Sequence, residues 1–470
     1  MNSEAFTQDA YIRTADCYYM QKNYTGAKAM YENVIKFSWP AEDYATFQLA
    51  MLAGVKEPKQ KIAMMNTMIR KFPKSSLTTD ANLEIANTYM ADEQFRDAIP
   101  YLSNVIQSDV NATIKAMAKL KLGTAYYNIN ENENALKQFK EIVSQYPNSP
   151  QAEDALDDIK TIYIEDGKPD EYAAYMREIG RPLNADVEDG LTYDAAEKLY
   201  DGQKLNESIE AFNSYLQKFP QGAHVLEAHF NLAEIFNTKK DWDQALQHYD
   251  YIVNNAPNQY AERALLVAGR ITFFEKKNYT DAERYYTQLK ETTTGQENKL
   301  EAMRGILRSQ YQLQKWTEAV QNAKDLTAAK GSSADDKALA NMAIAKSLEA
   351  NGQYAEAITN FKSVLQLNKA GLAAEARYGI ANGYFQLNKL KDAEKAAMET
   401  INKSGSYDYW ITKAYILIGE IYLKEKDYFN AKATLQSVVD NTLNPELKAE
   451  AQAKLNEVIE EESKSSKLNN

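Results

Sequence analysis

The chain has 470 residues, 44% hydrophobic and 26% charged, and its 54 basic and 66 acidic side chains give a net charge of −12. The charges are interspersed, which suits a solvated surface and argues against nucleic acid, since that needs a concentrated basic footprint. A single cysteine, Cys17, excludes an intrachain disulfide, three histidines leave little for a metal site, and no apolar run approaches the ~20 residues of a membrane span.

From the N-terminus, MNSEAFTQDAYIRTADCYYM lacks the basic start and apolar core of a signal peptide. It opens inside a helical pattern with no cap before it, which predicts that the chain is the C-terminal part of a longer protein. An aromatic residue then stands three positions before an alanine, after a polar pair that reads as a turn: Tyr24/Ala27, Phe95/Ala98, Trp242/Ala245, Tyr279/Ala282, Trp316/Ala319, Tyr354/Ala357 and Tyr428/Ala431, with Leu390/Ala393 as an aliphatic version. From Ala245 onward these alanines step by 37, 37, 38, 36 and 38 residues. Between turns, apolar residues recur at three and four, the helical period. Each unit therefore reads as helix, turn, helix, loop, and such a pair buries its apolar faces only when stacked on its neighbours.

The predicted repeats run at about 7–38, 41–73, 78–109, 113–147, 150–180, 191–220, 223–257, 260–294, 296–330, 334–368, 371–403 and 407–441. In the second, Ile62 takes the alanine place; in the fourth, Asn132 replaces the aromatic. The fifth is found by arithmetic: Ala135 to Ser208 is 73 residues, two periods, so a degenerate unit lies between, with Tyr172 near its landmark and Pro169 opening its second helix. Residues 181–190, from the stretch GRPLNADVEDG, break the period and predict a bend, a hinge or a longer rigid loop, with the next helix starting near Thr192. This divides the chain into sub-array one (1–180), the interruption (181–190), sub-array two (191–441), a capping helix (442–463) and a disordered tail (464–470). In the cap, Asn444 precedes Pro445, and Leu447, Ala451, Leu455 and Val458-Ile459 form one apolar face.

The first helix of each unit carries a small residue followed three positions later by an aromatic, as in Ala15/Tyr18, Gly123/Tyr126, Ala381/Tyr384 and Gly419/Tyr422. With the alanine twelve residues on, an aromatic four beyond it (Tyr31, Phe139, Phe212, Tyr249, Tyr286, Phe361) and a proline near repeat ends (Pro73, Pro147, Pro220, Pro257), the chain resembles the tetratricopeptide repeat family. That family's period is 34; the longer spacing here resembles its bacterial envelope branch, including outer-membrane-assembly lipoproteins. The resemblance implies an all-α, right-handed superhelical α-solenoid of about twelve helix hairpins with a C-terminal capping helix. It also implies a non-enzymatic scaffold that holds a protein or peptide partner in a concave groove, with no cofactor. A periplasmic or outer-membrane-associated location follows from the same resemblance. The alternative is a structural or glycan-associated envelope component, motivated by the 32 tyrosines.

In that family the first helices line the groove. The place eight residues before each landmark holds Tyr19, Met90, Tyr127, Tyr200, Asn237, Phe274, Tyr311, Glu349, Phe385 and Leu423. Aromatics there suit binding, having large area and little entropy to lose; lateral packing between first helices is the competing reading. The groove candidates are Tyr19, Tyr127, Tyr200, Phe274, Tyr311 and Phe385. A basic cluster of Arg304, Arg308 and Lys346 adds a possible carboxylate site. The lysine-and-asparagine clamp that some family members use for a peptide C-terminus is missing. Arg270 stands where most repeats have a small residue. His224, Glu227 and His229 are the only enzyme-like group, and their spacing fails the zinc-protease pattern, which needs histidines four apart.

Overall fold

The computed structural model describes residues 3–54, 56–368 and 370–468. Among them every regular element is helical, and 24 helices pair into twelve hairpins followed by a final helix. The chain forms two compact units, Met1–His224 and Val225–Asn470. Unit 1 holds six hairpins: α1 Ser3–Met20 with α2 Tyr24–Lys36, α3 Glu42–Gly54 with α4 Pro58–Lys71, α5 Thr78–Ala91 with α6 Phe95–Gln107, α7 Ala112–Asn128 with α8 Asn132–Gln145, α9 Pro150–Glu165 with α10 Pro169–Glu178, and α11 Ala185–Asp201 with α12 Leu205–Lys218. Unit 2 holds the other six: α13 Val225–Thr238 with α14 Trp242–Asn254, α15 Ala261–Arg270 with α16 Tyr279–Thr292, α17 Gln296–Gln312 with α18 Trp316–Ala328, α19 Ala334–Ala350 with α20 Tyr354–Leu367, α21 Gly371–Gln386 with α22 Leu390–Lys403, and α23 Asp408–Lys424 with α24 Tyr428–Asn441. Helix α25, Pro445–Leu468, closes it.

The landmark alanines explain the repeat. Ala27, Ala98, Ala245, Ala282, Ala319, Ala357, Ala393 and Ala431 all lie buried in the first turn of a second helix, where a larger side chain would push the paired helices apart. Ser208, the one serine at this place, is buried and donates its hydroxyl to the Ala196 carbonyl at 3.2 Å. Ahead of the second helix, hairpins one and three to twelve place one residue at positive φ: Lys22, Glu93, Asn130, Gly167, Gln203, Lys240, Lys277, Gln314, Gly352, Asn388 and Lys426. Asn23, Asp241, Asn278 and Asp427 then cap the helix by accepting from the backbone three residues on.

Three expectations are corrected. First, the helix expected near Thr192 starts at Ala185, so only Arg181–Asn184 interrupts the pattern. Asn184 accepts from the Val187 amide, and Asp186 and Glu188 lie at the positive end of the helix, which together offset the breakers. Second, the final helix continues to Leu468, past the expected start of a tail at 464; Lys464 pairs with Glu460 and Glu461 at 2.9 Å each, and residues 469–470 lie outside the described ones. Third, Ile459 is 46% exposed and does not share the buried stripe of Leu447, Ala451, Leu455 and Val458.

Arg270 is explained by an extra residue in the first helix of the eighth hairpin. After α15 the chain makes a π-helical turn, Ile271–Glu275, in which the Lys276 amide bonds the Ile271 carbonyl at 3.0 Å. Such a turn absorbs a one-residue insertion. The small residue facing the second helix is therefore Gly269, one place early, against the Tyr286 ring, and Arg270 points to Glu301 at 3.3 Å.

Candidate functional site: the face shared by the first helices of unit 2

Successive first helices pack against one another from α15 to α25, whereas no two successive second helices do so to the same extent. The first helices therefore lie on the shorter arc of unit 2 and form its inner face. Alanine and glycine make that close approach possible. In α19, Ala338, Ala340, Ala343 and Ala345 are buried, and in α21 so are Ala373, Ala374, Ala376, Gly379, Ala381 and Gly383. Tyr311 of α17 donates its hydroxyl to the Glu375 carboxylate of α21, passing over α19. A hydrogen bond between hairpins nine and eleven requires a concave surface.

Most charges on this face are matched from helix to helix. Glu234 of α13 takes both ends of Arg263 of α15, at 3.1 and 2.6 Å. Arg304 of α17 forks onto Asp336 of α19 at 2.6 and 2.9 Å. Burial opposes charge on Asp336, but Arg304 and the Ser333 amide and hydroxyl outweigh it and hold its carboxyl below the usual range. Lys346 meets Glu349 at 2.7 Å, and Glu349 accepts from Asn382 of α21 at 2.9 Å. Lys413 of α23 meets Glu450 of α25 at 2.6 Å, and Lys454 meets Glu420 at 2.7 Å.

Glu375 is the exception. Burial raises its carboxyl above the ordinary range, more than the Tyr311 hydrogen bond and the distant Lys346 charge lower it. Tyr311 is pushed up in turn, by burial first and then by Glu375. Tyr378, one helical turn from Glu375, is raised by burial and then by Glu450, Glu420 and Glu349. Its ring lies 5.5 Å from Trp410, and the neighbouring Tyr409 is 41% exposed.

The sequence candidates divide between the units. In unit 2, Tyr311 and Lys346 belong to this network. Arg304 is committed to Asp336 and Glu301, so it is not free for a partner's carboxylate. Arg308 is half-buried, and its charge acts on the Tyr286 hydroxyl. Phe385 is 7% exposed beneath Lys424, whose Nζ lies 4.0 Å from the ring centre, so it is packed rather than presented. Phe274 is 52% exposed, edge-on to Phe273 at the π-helical turn. In unit 1, Tyr127 of α7 donates to Glu165 of α9 at 2.7 Å, and that bond, with burial, pushes its hydroxyl up to about 12. Tyr19 stands edge-on to Tyr24, and Tyr200 is half-buried at the end of α11.

Glu375, Tyr378, Asn382, Lys413 and Glu420 were missed because only one place per repeat was counted. The signal was present: Glu375 and Lys413 each stand eighteen residues before their landmark alanine, and Arg308, Lys346, Asn382 and Glu420 eleven. The partner of His229 was not legible for another reason. His229 of α13 and His248 of α14 meet Nδ1 to Nδ1 at 2.8 Å, a pairing across the hairpin. His224 stacks on Tyr193 at 4.5 Å, and Glu227 accepts from the Tyr260 hydroxyl at 2.7 Å, so His224, Glu227 and His229 face different partners.

Stacked helical hairpins with a shared inner layer define a helical repeat protein. A tetratricopeptide repeat-like domain matches residues 17–177, and tetratricopeptide repeats match residues 193–260, 342–408 and 413–441. The chain belongs to the tetratricopeptide repeat family, whose members generally mediate protein–protein interaction as non-enzymatic scaffolds. No curated protein matches. Among solved structures, yeast Tom70 is 12% identical, covering 98% of this chain and 97% of its own, with a TM-score of 0.34. A tetratricopeptide repeat protein from Parabacteroides merdae ATCC 43184 is 18% identical, covering 58% and 98%, with a TM-score of 0.36. MamA is 20% identical, covering 42% and 94%, at 0.31. No helix among the described residues is long and apolar enough to cross a membrane.

Proposed function

We propose that the chain is a protein-binding scaffold whose unit 2 inner face receives an extended segment or a helix of a partner protein. The observation that carries this reading is the Tyr311–Glu375 bond over α19, which makes the face concave and lines it with side chains from at least three first helices. Concave surfaces with fixed polar groups among aromatics suit peptide recognition, because the ligand is ordered against groups already held in place. A periplasmic or outer-membrane-associated location belongs to the same reading and is supported by the repeat spacing alone.

Panning phage-displayed random dodecapeptides on the full chain tests it. Recovered peptides are expected to lose at least tenfold in affinity for a Tyr378→Ala/Asn382→Ala variant whose circular dichroism and melting remain cooperative. Equal binding to that variant removes the inner face from the account.

A further inference from the structure

Lysines in this chain recur between an aromatic ring and a carboxylate. Lys413 sits 5.6 Å from the Tyr378 ring centre and 2.6 Å from Glu450. In unit 1, Lys218 lies 5.2 Å from the Phe219 ring centre and 2.6 Å from Asp170, and Lys71 lies 5.3 Å from the Phe72 ring centre while pairing with Glu42. Each combines an aromatic face, a carboxylate and an ammonium, so that ring and carboxylate both favour the cation.

At Glu375 a carboxylate stands among aromatic rings without an ammonium of its own, because Lys413 beside the Tyr378 ring is bonded to Glu450. Tyr311 bonds the carboxylate, Tyr378 stands one turn along α21, and Tyr409 lies near enough for Glu375 to act on its hydroxyl. Among the described residues no lysine or arginine lies within ion-pair distance of Glu375. Lys346 acts on it only at longer range, since its ammonium is bonded to Glu349. Glu349, Glu420 and Glu450 each have a lysine, whereas Glu375 has none. The phenol of Tyr311 is a neutral donor and leaves the charge uncompensated. A buried carboxylate in that state gains most from a cation that arrives with its own hydrogen bonds. Glu375 and Tyr378 remain half-buried and Tyr409 exposed, so the site is open on one side.

We infer that Glu375, with Tyr311, Tyr378 and Tyr409, is the receiving site for a lysine or arginine side chain on the partner's bound segment. This rests on the inner-face reading above and gives the partner a chemistry: a basic residue placed to supply the charge that the repeat pattern omits. It reverses the expected polarity of the groove, because the cations offered for a carboxylate, Arg304 and Lys346, are already paired.

The test uses the full chain and two fluorescein-labelled decapeptides, one alternating serine with lysine and one alternating serine with glutamine, read by fluorescence anisotropy at physiological salt. The lysine peptide is expected to bind at least tenfold more tightly. Glu375→Gln, nearly isosteric, should weaken it at least tenfold, while Glu356→Gln, which removes an exposed carboxylate from α20, should change it less than twofold. Tyr409→Ala, at an exposed position, should cost several-fold without disturbing the core. Equal losses for Glu375→Gln and Glu356→Gln overturn the proposal, because the attraction is then only that of an acidic chain. So does absence of lysine-peptide binding. If both peptides bind equally and both are lost in Tyr378→Ala/Asn382→Ala, the inference falls and the inner-face reading stands. If the lysine peptide binds that double variant undiminished, both fall.

Discussion

The place eight residues before the landmark alanine holds a tyrosine bonded to a glutamate in both units, and the two bonds differ in reach. Tyr127 of α7 meets Glu165 of α9, the next first helix, at an exposed site. Tyr311 of α17 meets Glu375 of α21, the next but one, at a partly buried site. The repeat position is the same; the difference lies in the helices between and beyond. Alanine-rich α19 and glycine- and alanine-rich α21 are thin enough for α17 and α21 to close over the gap. The helix after α7 is α9, whose buried face carries Leu156, Ile159, Ile162 and Tyr163. In such an array the repeat fixes which way a side chain points, and the bulk of its neighbours decides what it reaches.

Acidification should separate the units most strongly. Burial holds His229 and His248 at about 4, with His248's approach adding to the effect at His229. The ordinary histidine value is about 6.5. Between those values the unfolded chain binds more protons than the folded one, so stability is full above about pH 6.5 and is lost as the pH falls toward 4. From pH 7 to 4.5 the loss from the pair should be about 4 kcal/mol. Hydrogen exchange resolved by segment should show α13 and α14 opening first, and His248→Gln should flatten the dependence.

Next in size is a packing change. Tyr286 lies between Gly269 and Gly305, and a Cβ on Gly305 would approach its ring to 2.3 Å. Gly305→Val should cost about 3 kcal/mol, read as a lower urea midpoint for unit 2. Removing a hydroxyl then tests the comparison at each end. Tyr311→Phe leaves the Glu375 carboxylate without its donor and should cost about 1–2 kcal/mol, whereas Tyr127→Phe, with Glu165 open to water, should cost less than about 0.5. One further change should stabilise. Gly190 lies inside α11 where an added Cβ would meet nothing within 4 Å outside its own helix backbone, so Gly190→Ala should raise the melting temperature of unit 1 slightly, by about 0.5–1 kcal/mol of stability.

Periodic features were legible in the sequence because they repeat. The alanine ruler gave twelve hairpins, and it located the fifth, where Tyr172 and Ala173 are buried in α10 and Pro169 opens the helix as expected. The π-helical turn left a trace, Arg270 in a small-residue place, but one sequence cannot show that a helix absorbs the extra residue. The 181–190 stretch misled because glycine, proline and acids read as breakers; Asn184 at the cap and acids in the first turn start a helix instead. The site was hardest, since Tyr311–Glu375 and His229–His248 are pairings between elements. Which aromatics face outward was equally hidden: Phe385 and Phe274 share a repeat place, yet one is buried under Lys424 and the other exposed beside a distorted turn.

A double-mutant cycle on Tyr311→Phe and Glu375→Gln, measured by chemical unfolding of the full chain, tests the concave inner face most directly. Contact across α19 predicts a coupling of about 1.5 kcal/mol between residues two hairpins apart, and effects that add to within about 0.3 kcal/mol would contradict it.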